Sequence, residues 1–232
     1  MPYIDKQQDK STEAVQTMFD SIAGRYDLAN DILSFGLHRL WAKKSLQQLP
    51  DRSSAHCLDL CTGTGALLPI LCTKYGRVTG VDFSSEMLAL AKSKYKNLLQ
   101  SNLELFEGDA LNLSFPDNSF DVVTVAYGIR NFASLEKGLK EIRRVLKPDG
   151  QLLIIEFGRP VKLLRPFYDF YSRYLMPLIG ALITGSKKPY EYLPETARTF
   201  PYGDRLCQLA EQQGLKVRSK SYFAGIVYSY FG

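Results

Sequence analysis

The sequence is poor in the residues that build metal centres and disulfide frameworks. It has four cysteines and two histidines among 232 residues, and no two cysteines show the Cys-x-x-Cys spacing. This set excludes the common zinc patterns and favours a reduced, cytosolic compartment. No run of about eighteen apolar residues occurs, so no membrane-spanning helix is predicted. The first residues have neither the pattern of a signal peptide nor that of a transit peptide.

A strong excess of charge of one sign is also missing. The formal net charge is +5, and the basic residues are spread along the chain without forming a basic stripe. This balance allows attraction to anionic membrane surfaces or phosphates, but it argues against a nucleic-acid partner. The apolar share of 45% and the charged share of 23% are typical of a soluble globular protein.

A regular alternation of apolar runs and helical patterns begins after residue 51. Five apolar runs predict strands at 56–60, 77–82, 103–106, 120–125 and 151–156. Helical patterns between these runs imply right-handed crossovers and therefore a parallel sheet. The alternation predicts an α/β fold with a doubly wound, Rossmann-like core over residues 51–160.

The first fifty residues have a helical pattern instead. Four apolar residues recur there at helical spacing: Val15, Met18, Phe19 and Ile22. Ser11 or Thr12 can cap this helix. A second helical block follows at 26–41, and Gly36 is expected to break it. Residues 1–50 are therefore predicted to form a helical cover over the core.

The last third of the chain interrupts the alternation. Residues 161–202 form an aromatic-rich helical pattern, predicted to be an insert. Residues 203–232 predict a terminal helix and a β-hairpin, with strands at 215–221 and 223–230. The expected whole is a single domain, residues 1–232, with a mostly parallel, seven-stranded sheet.

A glycine turn follows the first predicted strand. Gly63-Thr64-Gly65 precedes a helical pattern expected to begin at Thr64, and this order lets the main chain approach a nucleotide-like ligand. A dinucleotide site needs a third glycine where Leu68 stands, and a phosphate-binding Walker loop needs a Gly-Lys-Ser/Thr sequence that is absent. The turn alone is weak evidence, but it disfavours both phosphate ligands.

Acidic residues end three successive predicted strands, at the sheet edge where open α/β sheets bind ligands. Asp82 can accept both hydroxyls of a ribose, and Asp109 with the amide of Ala110 can bind an adenine. Asp59 and the glycine turn can hold an amino-acid end, and these features together favour S-adenosylmethionine. The predicted cofactor-binding residues are Asp59, Gly63, Thr64, Gly65, Asp82, Asp109, Ala110 and Ala126.

Through these residues the chain resembles class I methyltransferases, and more specifically the menaquinone/ubiquinone biosynthesis C-methyltransferases. The resemblance extends from about residue 18 to residue 230. Its most particular motifs are the blocks 26–41, 128–131 and 190–194. The chain departs from the family pattern at Ala66, Asp149 and Gly158, where an acid, a glycine and a serine are usual.

The resemblance implies an enzyme that transfers a methyl group from S-adenosylmethionine to a ring carbon of a prenylated quinol. The expected substrate is demethylmenaquinol; the alternative is the equivalent benzoquinol of the ubiquinone pathway, or both. Two other hypotheses remain beside this one. In the first, the chain is a class I methyltransferase for another small molecule; in the second, it is a non-catalytic subunit of a quinone-synthesis complex. No metal is implied, since the sulfonium is already an activated electrophile.

The resemblance points to Arg130, Asn131 and Tyr26 as the catalytic residues. A guanidinium stays protonated, so Arg130 is expected to stabilise the developing phenolate while a water accepts the proton. The alternative is that Arg130 pairs with Asp27 or Asp31 and merely holds the cover. His38 is a second candidate base, although a structural role for it beside Trp41 is preferred.

The insert has two compatible interpretations. An apolar stripe on one helical face predicts an amphipathic lid over the sheet. The same stripe is typical of a prenyl channel that rests on a membrane surface, with Arg173, Lys187 and Lys188 near the head groups. The expected location is the cytoplasm, with peripheral contact at the inner face of the membrane, and a homodimer is among the assembly states allowed.

Overall fold

A seven-stranded sheet forms the centre of the protein, which is represented by a computed structural model describing residues 11–232. The strands are β1 (Arg52–Leu60), β2 (Tyr75–Asp82), β3 (Leu103–Glu107), β4 (Phe120–Ala126), β5 (Leu146–Phe157), β6 (Arg218–Tyr222) and β7 (Val227–Phe231). Their order is β3-β2-β1-β4-β5-β7-β6, and only β7 runs antiparallel to both of its neighbours. The predicted doubly wound, mostly parallel sheet of seven strands is confirmed.

The central strands are apolar on both faces because helices cover both sides of the sheet. Val122 and Val123 are both fully buried, yet they belong to two different hydrophobic clusters, one on each face. Successive strand residues point to opposite faces, so a strand buried on both sides reads as a continuous apolar run. This is why the runs of the sequence located the parallel strands.

The strand order reverses between β1 and β4, which are adjacent although two strands and their helices separate them in sequence. Crossovers leave β1 and β4 in opposite directions at such a point, so a crevice opens at the carboxyl ends of the strands. The core crossovers contain the helices α4 (Leu68–Lys74), α5 (Ser85–Lys94), α6 (Lys96–Leu99) and α7 (Leu135–Val145).

One helix begins later than its pattern predicted. The helix expected from Thr64 begins at Leu68. Gly63 and Gly65 have φ values of 54° and 85°, which a right-handed helix cannot include. The glycines therefore hold a turn open between β1 and α4.

The helical cover lies over the crevice. It consists of α1 (Thr12–Ile22), a short 3-10 turn (Ala23–Arg25), α2 (Tyr26–Leu33) and α3 (Leu37–Leu46). Ser11 caps α1 by accepting a hydrogen bond from the Ala14 amide at 3.3 Å. Gly36, with a φ of 70°, separates α2 from α3 as expected. Residues 1–10 of the predicted cover lie outside the described residues.

The insert and the C-terminal elements complete the fold. They are α8 (Arg165–Phe170), a π-helical segment (Tyr171–Leu175), α9 (Met176–Thr184), α10 (Lys188–Thr199) and α11 (Asp204–Gln212). The two hairpin strands start later than predicted. For β7 the reason is that Phe223 and Ala224 take positive φ values in a 3-10 turn. From residue 11 onward, no helix has the length and apolar character needed to cross a bilayer.

Candidate active site

Two cavities adjoin at the carboxyl ends of the strands. The first, called the cofactor cleft, lies at the crevice between β1, β2 and β4 under the helical cover. The residues that line it include Gly63, Asp82, Phe83, Asp109, Ala126 and Asn131. The second, called the acceptor cavity, has a volume of about 360 Å³. Tyr26 and Tyr127 line both cavities, so the two spaces meet at these tyrosines.

Asp82 is the acid at the end of β2, and it lies against the glycine turn. One carboxylate oxygen accepts a hydrogen bond from the Gly63 amide at 2.8 Å, and the other accepts one from the Ser84 amide at 2.9 Å. Each oxygen keeps a second acceptor site. Burial raises the pKa of Asp82 to about 6. Because each oxygen has an acceptor site to spare, the carboxylate can receive the two hydroxyls of a ribose while it holds the turn in place.

The third strand end supplies the other half of a nucleoside site. Asp109 and Ala110 line the cleft, and one Asp109 oxygen accepts a hydrogen bond from the Leu111 amide at 2.9 Å. Phe83 and Met87 line the same cleft, and the sequence reasoning missed both. Their signal was present: Phe83 follows the strand-end acid directly, and Met87 lies in the first turn of α5. Apolar side chains there can pack on the flat face of a base.

Three predicted cofactor residues do not line the cleft. Asp59 is buried at the end of β1, where its two oxygens accept hydrogen bonds from Thr62 at 2.7 Å and Thr124 at 2.6 Å. The Thr64 hydroxyl donates to Asp27 of α2 at 2.5 Å, and Gly65 lies beside Tyr95. These three residues therefore lie outside the cleft lining, where they fix the shape of the glycine turn and its contact with the cover.

Asn131 supplies an unused acceptor in the cleft. Its side-chain oxygen is buried and has no hydrogen-bond partner among residues 11–232. A buried amide oxygen without a partner carries an energetic penalty that a bound donor removes. An ammonium or a hydroxyl is such a donor, so this orphaned atom and the acids Asp82 and Asp109 fit the polar groups of S-adenosylmethionine.

Arg130 faces the acceptor cavity, although only 4% of its surface is exposed. Its Nη1 donates to Oε1 of Glu156 at 2.5 Å and to the main-chain oxygen of Tyr127 at 2.6 Å. Its guanidinium lies 5.2 Å from the ring centre of Phe157. The acid that pairs with Arg130 is thus Glu156, and the pairing with Asp27 or Asp31 that was the alternative is not found.

The Arg130 side chain remains a cation that can act on a ligand. Burial lowers the pKa of Arg130, but the neighbouring Glu156 carboxylate raises it, and the net shift of the pKa is upward. Its Nε has no partner among the described residues. A permanently charged group with an unused donor can bind an oxygen that becomes negative during a reaction.

The acceptor cavity is mostly aromatic and aliphatic. Its walls come from α2, α3, the insert and the turn before β7, and include Trp41, Phe157, Phe167, Tyr168, Tyr171 and Phe223. Burial raises the pKa of Tyr26, whose hydroxyl is hydrogen-bonded to the Asn30 side chain. The phenol of Tyr26 therefore stays protonated and acts as a neutral hydrogen-bonding group where the cavities meet.

Comparisons with known proteins identify the family of the chain. A sequence model of the ubiE/COQ5 methyltransferase family matches residues 6–232. A demethylmenaquinone methyltransferase from Deinococcus radiodurans is 40% identical, covering 100% of this chain and 96% of its own. The ubiquinone/menaquinone biosynthesis C-methyltransferase UbiE from Pseudoalteromonas translucida is 39% identical, covering 90% of this chain and 85% of its own.

A solved structure agrees in fold. A SAM-dependent methyltransferase from Thermotoga maritima superposes with a TM-score of 0.67 at 20% identity, covering 93% of this chain and 98% of that one. The predicted class I fold is confirmed, and so is the predicted enzyme class, a methyltransferase that depends on S-adenosylmethionine. From its sequence match and its relatives, the chain belongs to the ubiE/COQ5 methyltransferase family.

Proposed function

We propose that the protein methylates a ring carbon of a prenylated quinol, with demethylmenaquinol as the first candidate. The observation that carries this proposal is the meeting of a nucleoside cleft and an apolar cavity at Tyr26 and Tyr127. A volume of about 360 Å³ is within the range of small-molecule sites, roughly 300–1,000 Å³. An aromatic ring with part of a prenyl chain suits this size and this lining.

The cofactor is held by residues of the cleft. Asp82 binds the ribose hydroxyls, and Asp109 with Ala110 binds the adenine, between apolar side chains such as Phe83. Gly63, Ala126 and Asn131 surround the amino-acid end. When bound, S-adenosylmethionine supplies a methyl group on a positively charged sulfur. Asp59, Thr64 and Gly65 support this arrangement by fixing the turn.

The chain's own part in the chemistry is to stabilise charge and to exclude water. A quinol becomes nucleophilic at a ring carbon when the neighbouring hydroxyl loses its proton. Arg130 then faces the phenolate oxygen, and Glu156 holds the guanidinium in place. Removing one such charge-stabilising donor costs about 10²–10³ in rate in other enzymes. Tyr26 and Asn131 hold the two partners where the cavities meet, and alignment of this kind supplies several kcal/mol.

Two rings fit this proposal, and the relatives' names include both. The relative from Deinococcus radiodurans is named for demethylmenaquinone, while the UbiE relative is named for ubiquinone and menaquinone. The test offers the purified protein both reduced demethylmenaquinone and the demethylated benzoquinol, with labelled S-adenosylmethionine. Faster transfer to the naphthoquinol supports the first candidate. Transfer to neither ring overturns the proposal.

The same proposal places the protein in the cytoplasm, in peripheral contact with the inner face of the membrane. Phe35 and Phe167 line the acceptor cavity, yet 82% and 74% of their surfaces are exposed. Further exposed apolar residues lie on α2 and the insert: Leu28, Ile32, Leu163, Phe170, Leu178 and Leu182. A prenylated substrate resides in a bilayer, so an apolar opening lets it enter without crossing water.

Basic side chains accompany this apolar surface. Arg173, Lys187 and Lys188 are exposed on the insert, and the Arg173 guanidinium lies 5.8 Å from the ring centre of Tyr174. Cations beside an apolar surface favour anionic lipid head groups. A homodimer stays a prediction, and sedimentation velocity would measure the assembly state.

A further inference from the structure

Among the described residues that line the acceptor cavity, His38 is the one whose ordinary pKa lies near neutrality, and the proposed function gives it no role. It lies in the first turn of α3. The Tyr127 hydroxyl donates to the His38 main-chain oxygen at 3.3 Å, while the Tyr127 main-chain oxygen accepts from Arg130. His38 and Arg130 therefore lie at the two ends of one tyrosine, on the wall of the same cavity.

The hydrogen bonds of Ser34 determine the tautomer of His38. The Ser34 hydroxyl oxygen lies 2.7 Å from the main-chain oxygen of Asn30 and 2.6 Å from Nδ1 of His38. The Asn30 oxygen can only accept, so the single hydroxyl proton lies between these two oxygens. Nδ1 of His38 must then carry a proton that it donates to Ser34. In the neutral ring, the free electron pair is on Nε2.

The charges around His38 favour a ring that is neutral at rest and that can take up a proton. Nε2 is 3.8 Å from the Asp31 carboxylate, which is too far for a hydrogen bond but close enough to stabilise an imidazolium. Asp31 is itself held by two hydrogen bonds from Arg39, both of 2.7 Å. Asp27 also favours the charged ring, whereas Arg39 opposes it, and burial lowers the pKa of His38 below its ordinary value. Across the cavity, Arg130 is the further cation.

We propose that Nε2 of His38 accepts the quinol proton, directly or through one water. The inference rests on the proposed function. The oxygen–hydrogen bond of the hydroxyl next to the reacting carbon breaks, and its proton forms a bond to Nε2. The electron pair left on oxygen moves into the ring, and the neighbouring carbon forms the new bond to the methyl group. The carbon–sulfur bond breaks with its electrons on sulfur. The methylated ring carbon then loses its own hydrogen as a proton, the ring oxygen regains one, and the remaining proton leaves from His38 to solvent.

Three residues then divide the activation of the quinol. His38 is the base, Ser34 is a positioning residue that selects the tautomer, and Arg130 stabilises the phenolate. This division removes the difficulty that a guanidinium is a poor base. A base that acts in the transition state contributes about a hundredfold or more to the rate.

The test compares the pH dependence of kcat for methyl transfer in the wild type and in His38→Asn, between about pH 5 and pH 8. The wild-type rate should fall on the acid side as His38 becomes protonated. In His38→Asn, kcat should fall about a hundredfold or more, the acid limb should disappear, and the KM for S-adenosylmethionine should stay unchanged. His56→Asn is the matched control, because His56 packs against Thr79 in the sheet and does not line either cavity; its acid limb should remain.

Two further variants separate a lost base from a lost fold. In His38→Ala, added imidazole should restore part of the rate, and His38→Gln should bind S-adenosylmethionine like the wild type. A His38→Asn enzyme that keeps both its rate and its acid limb overturns the role of His38, while the proposed function survives. A rate loss that imidazole does not restore in His38→Ala also overturns it. A wild type that methylates no quinol overturns the proposed function itself.

Discussion

The buried pair of Arg130 and Glu156 gives the sharpest prediction about stability. The Glu156 side chain is completely buried, and Arg130 is 4% exposed. Besides the guanidinium, the Glu156 carboxylate accepts the main-chain amides of Arg130 at 3.2 Å and Phe157 at 2.8 Å. Glu156→Gln keeps the shape of the side chain but places an NH₂ group where donors converge. Arg130 then remains buried without a counter-charge.

The expected cost follows from this geometry. Removing one partner of a buried ion pair costs about 3–5 kcal/mol, since the other charge stays desolvated. For a chain of this size each kcal/mol lowers the melting temperature by roughly 2–4 °C, so Glu156→Gln should lower it by about 6–20 °C. The assay is thermal unfolding followed by circular dichroism, checked by urea titration.

Glu136→Gln is the control for this prediction. It breaks the exposed pair of Glu136 and Lys140, whose side chains are 64% and 60% accessible, and exposed pairs often contribute nothing measurable. The melting temperature of Glu136→Gln should therefore match that of the wild type. If Glu156→Gln melts at the same temperature as Glu136→Gln or higher, the buried Arg130 does not need Glu156 as its counter-charge, and the reasoning fails.

Three further predictions concern the cofactor cleft, the exposed apolar surface and the pH dependence of folding. Asp82→Asn should weaken S-adenosylmethionine binding by about 1.5–3 kcal/mol, roughly tenfold to a hundredfold, in calorimetry; unchanged affinity would remove Asp82 from the site. Phe167→Asp should reduce binding to anionic vesicles about tenfold to a hundredfold in co-sedimentation, while Phe106→Asp, exposed on β3, should bind like the wild type; equal losses would contradict the proposed membrane face. The pKa of Asp59 rises from 3.8 to about 6 on burial, so its ionisation costs the folded state about 3 kcal/mol. The stabilising contribution comes from the neutral Asp59 carboxyl. It is complete below about pH 4, near the unfolded pKa, and is lost as the pH rises through about 6. Relative to the wild type, Asp59→Asn should therefore gain unfolding free energy between pH 4 and pH 7 in urea titrations, and a pH-independent difference would refute the shift.

The sequence predicted the fold and the ligand-binding edge because both follow from local patterns. Apolar runs located the parallel strands, and the acids after them fell at one edge of the sheet. Of the predicted cofactor residues, Gly63, Asp82, Asp109, Ala110 and Ala126 line the cleft. Their positions depend only on where each strand ends, which the chain itself makes visible.

What the sequence did not predict depends on contacts across the sheet. Glu156 was read as the end of a strand, whereas the register pairs Ala126 of β4 with Ile155 of β5 and brings Glu156 next to Tyr127. Arg130 follows three residues later and finds its partner there. The register could have been used only after the strand order was known, and that order is a long-range property.

Asp59 illustrates the same limit at shorter range. It ends its strand like Asp82, but the hydroxyls of Thr62 and Thr124 take up its oxygens inside the protein. Thr124 comes from the neighbouring strand, which the order of residues in the chain does not reveal. The insert was predicted to line a prenyl channel, but the sequence did not show that residues of α2, α3 and the turn before β7 complete the wall of the same cavity.

The most direct test of the account is the position of the transferred methyl group. S-adenosylmethionine labelled with ¹³C in its methyl group is incubated with the protein and reduced demethylmenaquinone, and the product is analysed by NMR. A single labelled methyl group is expected on the ring carbon next to a hydroxyl. A label on a quinol oxygen, or no labelled quinone at all, would contradict the claim that this site makes a carbon–carbon bond.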